Sequence, residues 1–520
     1  MALSGTRNHS RPEELIAVLD FGGQYSHLIT RRIRECEVYS ELLPFDVSPI
    51  ELQRRNARGV ILSGGPASVY DDAAPKCDPQ VFRLGLPTLG ICYGLQLMVE
   101  MLGGHVKATA YHEYGKTELR IRDHRDLFRG FSDRITSWMS HGDYAEKLPS
   151  GFEVIADSEN CPTAAIRDRS GKLFGVQFHP EVSHTEHGTE ILRNFISIAN
   201  CHATWNPRSI IDSSVEEIRA QVGNENVLCA VSGGVDSTTT AVLLHRAVGE
   251  KLTCIFVNHG LLRKDEEKSV LKILQDFKLN LHYVDASHRF LRKLRGVRDA
   301  EAKRRVVGEE FVRVFGEESG RLGTFPWLAQ GTLYPDVIES AGSGSPASRI
   351  KMHHNVGGIP EWSKFKIVEP LKFLYKDEVR KVAMALGLPD EIVSAHPFPG
   401  PGLAVRVIGE VTEEKLRICR EASSIVEHVL TERGIYQEVW QAFAVVGDDS
   451  AVGVVGDHRQ LGYIVTVRIV NSSDGMTADW ARIPYEVLEE ISNKITGEVR
   501  GVTWVTYVIT SKPPSTIEPC

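Results

Sequence analysis

No stretch of the 520 residues approaches the roughly 18 consecutive apolar residues of a membrane span, so an integral membrane protein is not expected. The start, Met1 to Glu14, is polar and has no apolar core, so neither a secretory leader nor an anchor is expected there. Paired cysteines are missing as well. The nine are scattered singly, none spaced C-x-x-C, and their odd total argues against a disulfide framework or a zinc site. Excess positive charge is also lacking: 60 Lys and Arg face 68 Asp and Glu, for a net charge of -8. That disfavours nucleic acid or an anionic membrane surface as the main partner, so small anions must be bound locally. There is no internal repeat and no low-complexity tract. What is present is apolar material for several cores, at 42% hydrophobic residues. The length allows about three domains at roughly 100 to 200 residues each. A reducing, cytoplasmic setting fits.

Short apolar runs at 16–19, 59–62, 88–91 and 173–178 read as buried strands, with a helical pattern from Ser26 to Glu35 after the first. Strands alternating with helices predict a parallel α/β sheet. The pattern lapses around 206–213. It resumes as strand 227–231, helix 237–248 and strand 252–257, predicting a second α/β unit with a boundary near residue 205. At 396–402 the sequence HPFPGPG forbids regular structure and predicts a stiff connector. Beyond it, helices at 412–431 and 484–495 and strands at 443–446, 462–470 and 502–509 predict a smaller α+β domain. The expected domains are therefore 14–205, 206–395 and 396–520. Residues 289–305 hold eight Lys or Arg against two acids. Such a run can guide phosphates or form a solvated helix face, and the sequence leaves both open.

The first chemical signature is Gly90-Ile91-Cys92-Tyr93-Gly94-Leu95-Gln96, a strand entering a sharp glycine-flanked turn and then a helix. This is a nucleophile elbow carrying cysteine. The turn presents sulfur at the positive end of a helix, which favours thiolate, and its small flanking residues let a substrate carbonyl approach. Phe178-His179-Pro180-Glu181 supplies a base. Two residues apart in an extended segment, His179 and Glu181 share a face, so the carboxylate can fix the imidazole tautomer. The expectation is a Cys92-His179-Glu181 triad, with Gly64 in Ser63-Gly64-Gly65-Pro66 offering a backbone N–H beside that of Tyr93 as an oxyanion hole. These residues resemble the class I glutamine amidotransferases over 14 to about 200, including Leu19-Asp20-Phe21-Gly22-Gly23-Gln24-Tyr25. The resemblance implies a flavodoxin-like glutaminase that forms a glutamyl thioester and releases ammonia. It also implies glutamine contacts from Gln96 and from Ser140-His141-Gly142-Asp143, His141 among them.

The second signature is Ser232-Gly233-Gly234-Val235-Asp236-Ser237, after an apolar strand and at the start of a helix. Glycines there let backbone N–H groups converge on phosphate oxygens. The loop lacks the Gly-Lys-Ser/Thr ending of a Walker A motif, so attack at a γ-phosphate is not expected. SGGxDS resembles the pyrophosphate loop of N-type ATP pyrophosphatases, of the adenine nucleotide α-hydrolase-like fold. The resemblance implies ATP on Ser232, Gly233, Gly234, Val235, Asp236, Ser237 and Thr238, pyrophosphate release, and Asp236 near a Mg2+ that accompanies ATP, with no organic cofactor.

The rest of the sequence decides which electrophile is made. Gln330 to Ser340 (QGTLYPDVIES), His353 to Gly358 (HHNVGG), HPFPGPG at 396–402 and Lys512 to Glu518 (KPPSTIE) resemble the GMP synthetase family, nearly end to end. That resemblance implies that glutamine, ATP and xanthosine monophosphate (XMP) are the small-molecule partners, and that a C-terminal domain forms a homodimer. It implies a lid with Lys351, His353 and His354, and XMP contacts from Arg406, Lys512 and Glu518. The adjacent histidines do not read as a metal site, because no third ligand accompanies them. Two alternatives stay open at this level: another carbonyl-bearing nucleotide or a tRNA base as acceptor, and a nucleotide and glutamine sensor without catalysis.

Overall fold

A computed structural model describes residues 14–342, 365–455, 457–472, 475 and 477–520; the side chains at 109–112, 339–342 and 455 are outside the description. The chain forms two compact units, 1–210 and 211–520.

In the first unit, β1 (Leu15–Asp20), β2 (Ser40–Pro44), β3 (Ala57–Leu62), β4 (Thr88–Ile91) and β9 (Leu173–Val176) pair in parallel, in the order β2-β1-β3-β4-β9. β1, β3, β4 and β9 are the short apolar runs, buried on both faces as central parallel strands must be; the edge strand β2, SELLP with Pro44 exposed, is announced by no such run. The periodicity missed a second half of the same sheet. β5 (His105–Ile121), β6 (Arg134–Lys147), β7 (Phe152–Asp157) and β8 (Ala165–Asp168) extend it antiparallel, in the order β9-β8-β7-β5-β6. β5 and β6 are rich in polar and charged residues, so apolar runs could not reveal them. The predicted parallel sheet is therefore the core of a mixed one. Helix Ser26–Glu35 presses Ile29 and Ile33 onto it and helix Gly188–Ile198 adds Ile191, Leu192 and Phe195, all fully buried.

In the second unit, β10 (Val227–Ala230), β11 (Leu252–Asn258), β12 (Leu281–Asp285), β13 (Trp327–Ala329) and β14 (Lys366–Val368) form an all-parallel sheet in the order β12-β11-β10-β13-β14. The winding reverses at β10. From there the chain runs outward to β12 and then returns to the other side of β10 as β13, which opens a crevice at the carboxyl ends of these strands. A separate sheet joins β15 (Gln441–Val455) and β16 (His458–Asn471) antiparallel, with β17 (Asp479–Trp480) antiparallel and β18 (Val502–Tyr507) parallel to β16. Helices Glu413–Glu432 and Tyr485–Glu498 pack on it.

One apolar core runs through this unit, from Leu228 and Phe290 to Val465 and Ile495. The HPFPGPG segment is wedged into it rather than bridging solvent. His396 is buried and stacks on Tyr436 at 3.7 Å, while Leu403 N–H donates to Leu261 O at 2.8 Å. Part of the basic run 289–305 is used within the same unit, while Arg292, Lys293, Arg295 and Arg305 are exposed. Arg289 pairs with Glu317 at 2.6 Å and with Glu310, and Arg298 pairs with Asp448. Lys303, fully buried, donates to Val407 O at 2.5 Å.

Candidate functional site

In the first unit Cys92, His179, Glu181 and Gly64 follow carboxyl ends of the parallel strands, while His141 and Asp143 come from the antiparallel β6. β4 ends at Ile91, and Cys92 follows at φ 52° and ψ -108°, a strained position from which helix Tyr93–Met101 departs. A Cβ on Gly90 would meet Gly94 C at 2.5 Å, and one on Gly94 would meet Leu62 O at 2.3 Å. The glycines thus serve the contact of the elbow helix with the sheet. Cys92 N–H donates to Val176 O at 2.8 Å, tying the elbow to β9.

β9 stops at Val176 and residues 177–181 bend, so the extended segment expected around His179 is absent. The side chains meet all the same. His179 Nδ1 lies 2.7 Å from Glu181 Oε1, both groups buried. His179 N–H donates to Trp138 O at 3.0 Å, Thr185 Oγ1 donates to His179 O at 2.6 Å, and the Tyr25 ring meets the imidazole edge-on at 5.2 Å. Burial by itself would lower the imidazole's pKa, but the Glu181 carboxylate and the Cys92 sulfur beside it hold it well above the usual histidine range. Glu181 Oε2 is buried with no hydrogen-bond partner among the described residues.

Gly64 lies at the same centre, since a Cβ there would come 3.2 Å from His179 Cε1 and 3.8 Å from Cys92 Cβ. Phe21 N–H donates to Ser63 Oγ at 3.0 Å, joining the loops after β1 and β3. Tyr93 is buried, which pushes its phenol up to about 12, and its hydroxyl donates to Pro75 O at 2.6 Å. Gln96 and His141 converge on one acceptor: Gln96 Nε2 donates to Asp143 O at 2.9 Å and His141 Nδ1 lies 3.0 Å from the same oxygen. The Asp143 carboxylate accepts from Ser68 Oγ at 2.7 Å and Tyr70 OH at 2.9 Å. His141 Nε2 faces Glu113 at 3.2 Å.

Sequence reasoning missed Gln177. Its Nε2 approaches Cys92 Sγ at 3.7 Å, and its only mark in the sequence is its place two residues before His179.

In the second unit, β10 delivers Ser232 to Ser237 into the crevice where the winding reverses. Gly233 stands at φ 84°, and a Cβ there would meet Val270 Cγ2 at 2.3 Å. Ser237 Oγ accepts from Ser232 N–H at 3.2 Å and donates to Gly234 O at 3.2 Å, closing the loop on itself. Helix Val235–Val248 begins there, with its free N–H groups at the loop. Asp236 Oδ2 pairs with Lys376 Nζ at 2.5 Å, a partner 140 positions away that no motif announced. Buried polar atoms without a hydrogen-bond partner among the described residues gather in this stretch: Asp236 Oδ1, Thr238 Oγ1, Thr239 Oγ1 and Thr240 Oγ1, with Gln330 Nε2 from the end of β13. Lys351, His353 and His354 lie outside the described residues.

At the C-terminal end, Arg406 is 2% exposed and forks onto Glu518, with both N–H···O contacts at 3.1 Å. Its guanidinium lies 4.2 Å from the Phe443 ring centroid. Gln441 Nε2 donates to the same carboxylate at 2.7 Å. Lys512 Nζ donates to Gly475 O at 2.8 Å. Among the described residues no group of three or more His, Cys, Asp or Glu could hold a metal, and no helix is long and apolar enough to cross a membrane.

The family model for glutamine amidotransferase class-I matches residues 17–199, and that for the GMP synthase C terminal domain matches 428–519. GMP synthase [glutamine-hydrolyzing] of a Synechocystis strain is 54% identical over 97% of this chain and 95% of its own length. The enzyme of the same name from Caldanaerobacter subterraneus is 54% identical over 97% and 99%. A crystal structure of a candidate GMP synthase subunit from Thermoplasma acidophilum is 33% identical, with a TM-score of 0.33 over 36% of this chain and 94% of that one.

Proposed function

The chain belongs to the glutamine-hydrolysing GMP synthase family, and we propose how its residues divide the work of making GMP. The enzyme is a ligase that aminates XMP with nitrogen from glutamine and consumes ATP.

The glutaminase half rests on Cys92. Its thiol proton passes to His179 Nε2, and sulfur attacks the carboxamide carbon of glutamine. As the C–N bond breaks, the imidazolium gives the proton to departing ammonia, and water then releases glutamate from sulfur. The backbone N–H groups of Gly64 and Tyr93 stabilise the oxyanion. Glu181 holds the imidazole by Nδ1, so that Nε2 faces sulfur. Gln96 and His141, fixed through Asp143 O, shape the glutamine pocket. The observation that carries this reading is the 2.7 Å contact of His179 Nδ1 with Glu181, beside a cysteine held at φ 52°.

In the second half, residues 232–238 cradle ATP, an oxygen of XMP attacks the α-phosphorus, and pyrophosphate leaves. Ammonia then displaces AMP from the adenylylated nucleotide. The orphaned Asp236 Oδ1 beside a phosphate loop fits magnesium, which binds through one or two carboxylates plus substrate phosphates. Bound there, the ion would screen phosphate charge. Lys512 contributes its ammonium to the XMP phosphate, and Glu518 contributes its carboxylate to the base or ribose side. Arg406 holds Glu518 in place from the buried side.

Three functional domains, 14–205, 206–395 and 396–520, accord with three separate sheets. A homodimer is supported by an apolar patch on the third sheet, where Val452, Val454, Leu461 and Trp504 are all exposed. Val452 and Leu461 are cross-strand partners and Trp504 Nε1 donates to Val452 O at 3.3 Å. A cytoplasmic enzyme fits its substrates.

The test is pyrophosphate release from ATP with glutamine and magnesium, comparing XMP, IMP, UMP and no acceptor, with the product identified by mass. Release with XMP alone, and GMP as product, is expected; release with IMP or UMP would overturn the acceptor, and silence throughout would overturn catalysis.

A further inference from the structure

We propose that Gln177 is a positioning residue for the glutaminase step: its carboxamide N–H is the side-chain donor that holds the Cys92 sulfur as thiolate. This rests on the reading of Cys92 as nucleophile. A backbone oxygen sets the orientation of both amides involved. Asp143 O can only accept, and Gln96 Nε2 lies 2.9 Å from it, so the Gln96 amide has its nitrogen on that side. The same Nε2 lies 3.3 Å from Gln177 Oε1 and donates to it. That fixes the second amide in turn: with its oxygen on Gln96, Gln177 turns its nitrogen to Cys92 Sγ, 3.7 Å away. The orientation of a buried amide at the sulfur is thus set by a carbonyl of β6, through two side chains.

The other close neighbour of the sulfur has the opposite character. Ser140 O lies 3.7 Å from Sγ and accepts from the thiol. It can only accept, so it favours S–H, whereas Gln177 N–H favours S⁻. When the sulfur proton moves to His179 Nε2, the Ser140 contact loses its hydrogen and the Gln177 contact gains charge. The electron pair left on sulfur then forms the bond to the glutamine carbon. Gln177 is 0% exposed, so its hydrogen bond is not shared with water and strengthens accordingly. Donor and base thus come from one segment, two residues apart.

The test measures iodoacetamide alkylation of Cys92 against pH in the full chain, following the Cys92 peptide by mass, alongside glutamine-dependent and ammonium-dependent GMP synthesis. Gln177→Met keeps the volume without the donor. Its Cys92 alkylation at neutral pH should slow about tenfold, a factor within reach of one hydrogen bond to a charged group, and the curve should move to higher pH. The glutamine kcat should fall with it while KM stays within about twofold, as expected when only the transition state loses a contact. Ammonium-dependent synthesis should be unchanged. Gln177→Glu places a carboxylate at the sulfur and should be slower still at neutral pH; it also carries the test should Gln177→Met fail to fold. Alkylation curves of the variants superimposed on that of the parent would overturn the proposal. Glutamine-dependent synthesis surviving in Cys92→Ala would instead overturn the nucleophile itself, so the two failures read differently.

Discussion

At φ 52° Cys92 occupies a region that side-chain-bearing residues avoid, at a cost of about 1 to 3 kcal/mol. The surrounding elbow must hold it there. Cys92→Ala keeps the strain and removes the nucleophile: glutamine-dependent synthesis should vanish while synthesis from added ammonium persists, measured as GMP formed with each nitrogen source. Loss of both together would contradict the division of labour. The His179 and Glu181 pair carries a second expectation. Because the folded imidazole titrates above its ordinary value of about 6.5, its protonated form stabilises the fold fully below that value. The contribution then fades as pH rises through the folded value. In Glu181→Gln the Coulombic part of this is lost. Its melting temperature should therefore fall furthest below that of the parent on the acid side, with the gap narrowing as pH increases. A gap that widened with pH would show that the imidazole is not held protonated by Glu181.

At the scale of elements, the two signature loops are built on close approaches that only glycine permits, yet the two crowd different partners. Gly94 meets the backbone oxygen of Leu62, which cannot give way without breaking β3. Gly233 meets a methyl of Val270, a side chain that can be cut back. Gly233→Ala should therefore slow pyrophosphate release with either nitrogen source, by roughly tenfold to a hundredfold as a phosphate cradle shifts. Adding Val270→Ala should recover part of the rate, the remainder being the strain of φ 84°. No recovery in the double variant would show that backbone conformation alone limits the loop. The elbow admits no such rescue: Gly94→Ala should fail to yield a folded first unit whatever is done to nearby side chains.

For the whole molecule, the relevant surface is the outer face of the third sheet. Val454 is 72% exposed and Leu461 66%, and an exposed apolar patch of this kind is the basis of the proposed dimer interface. A Val454→Glu, Leu461→Glu chain should halve in mass by light scattering while its melting curve at low concentration stays close to that of the parent, since neither side chain is in the core. A mass unchanged from the parent would remove this face from the interface. The rest of the second unit is held by one core from Leu228 to Ile495, so the prolines at 396–402 do not mark an independently moving boundary.

The chemistry was legible in the order of the residues, because reactive geometry here is local. An elbow needs glycines within four positions of its cysteine, a phosphate loop needs them beside a helix start, and His179 and Glu181 are two residues apart. Short apolar runs likewise announced β1, β3, β4, β9, β10 and β11, since strands covered on both faces must be apolar throughout, whereas the parallel strands β2, β12, β13 and β14 were announced by no such run. Whatever depends on distant partners emerged only in the folded chain. β5 and β6 carry solvent-facing polar residues and show no apolar run, so their place in the sheet comes from pairing rather than pattern. Lys376 reaches Asp236 across 140 positions, and Arg406 forks onto Glu518 across 112. The Gln96 to Gln177 to Cys92 relay joins residues up to 85 positions apart. Such contacts follow from how strands are ordered in the sheets, and strand order is set by packing of the whole chain rather than by any one segment of it.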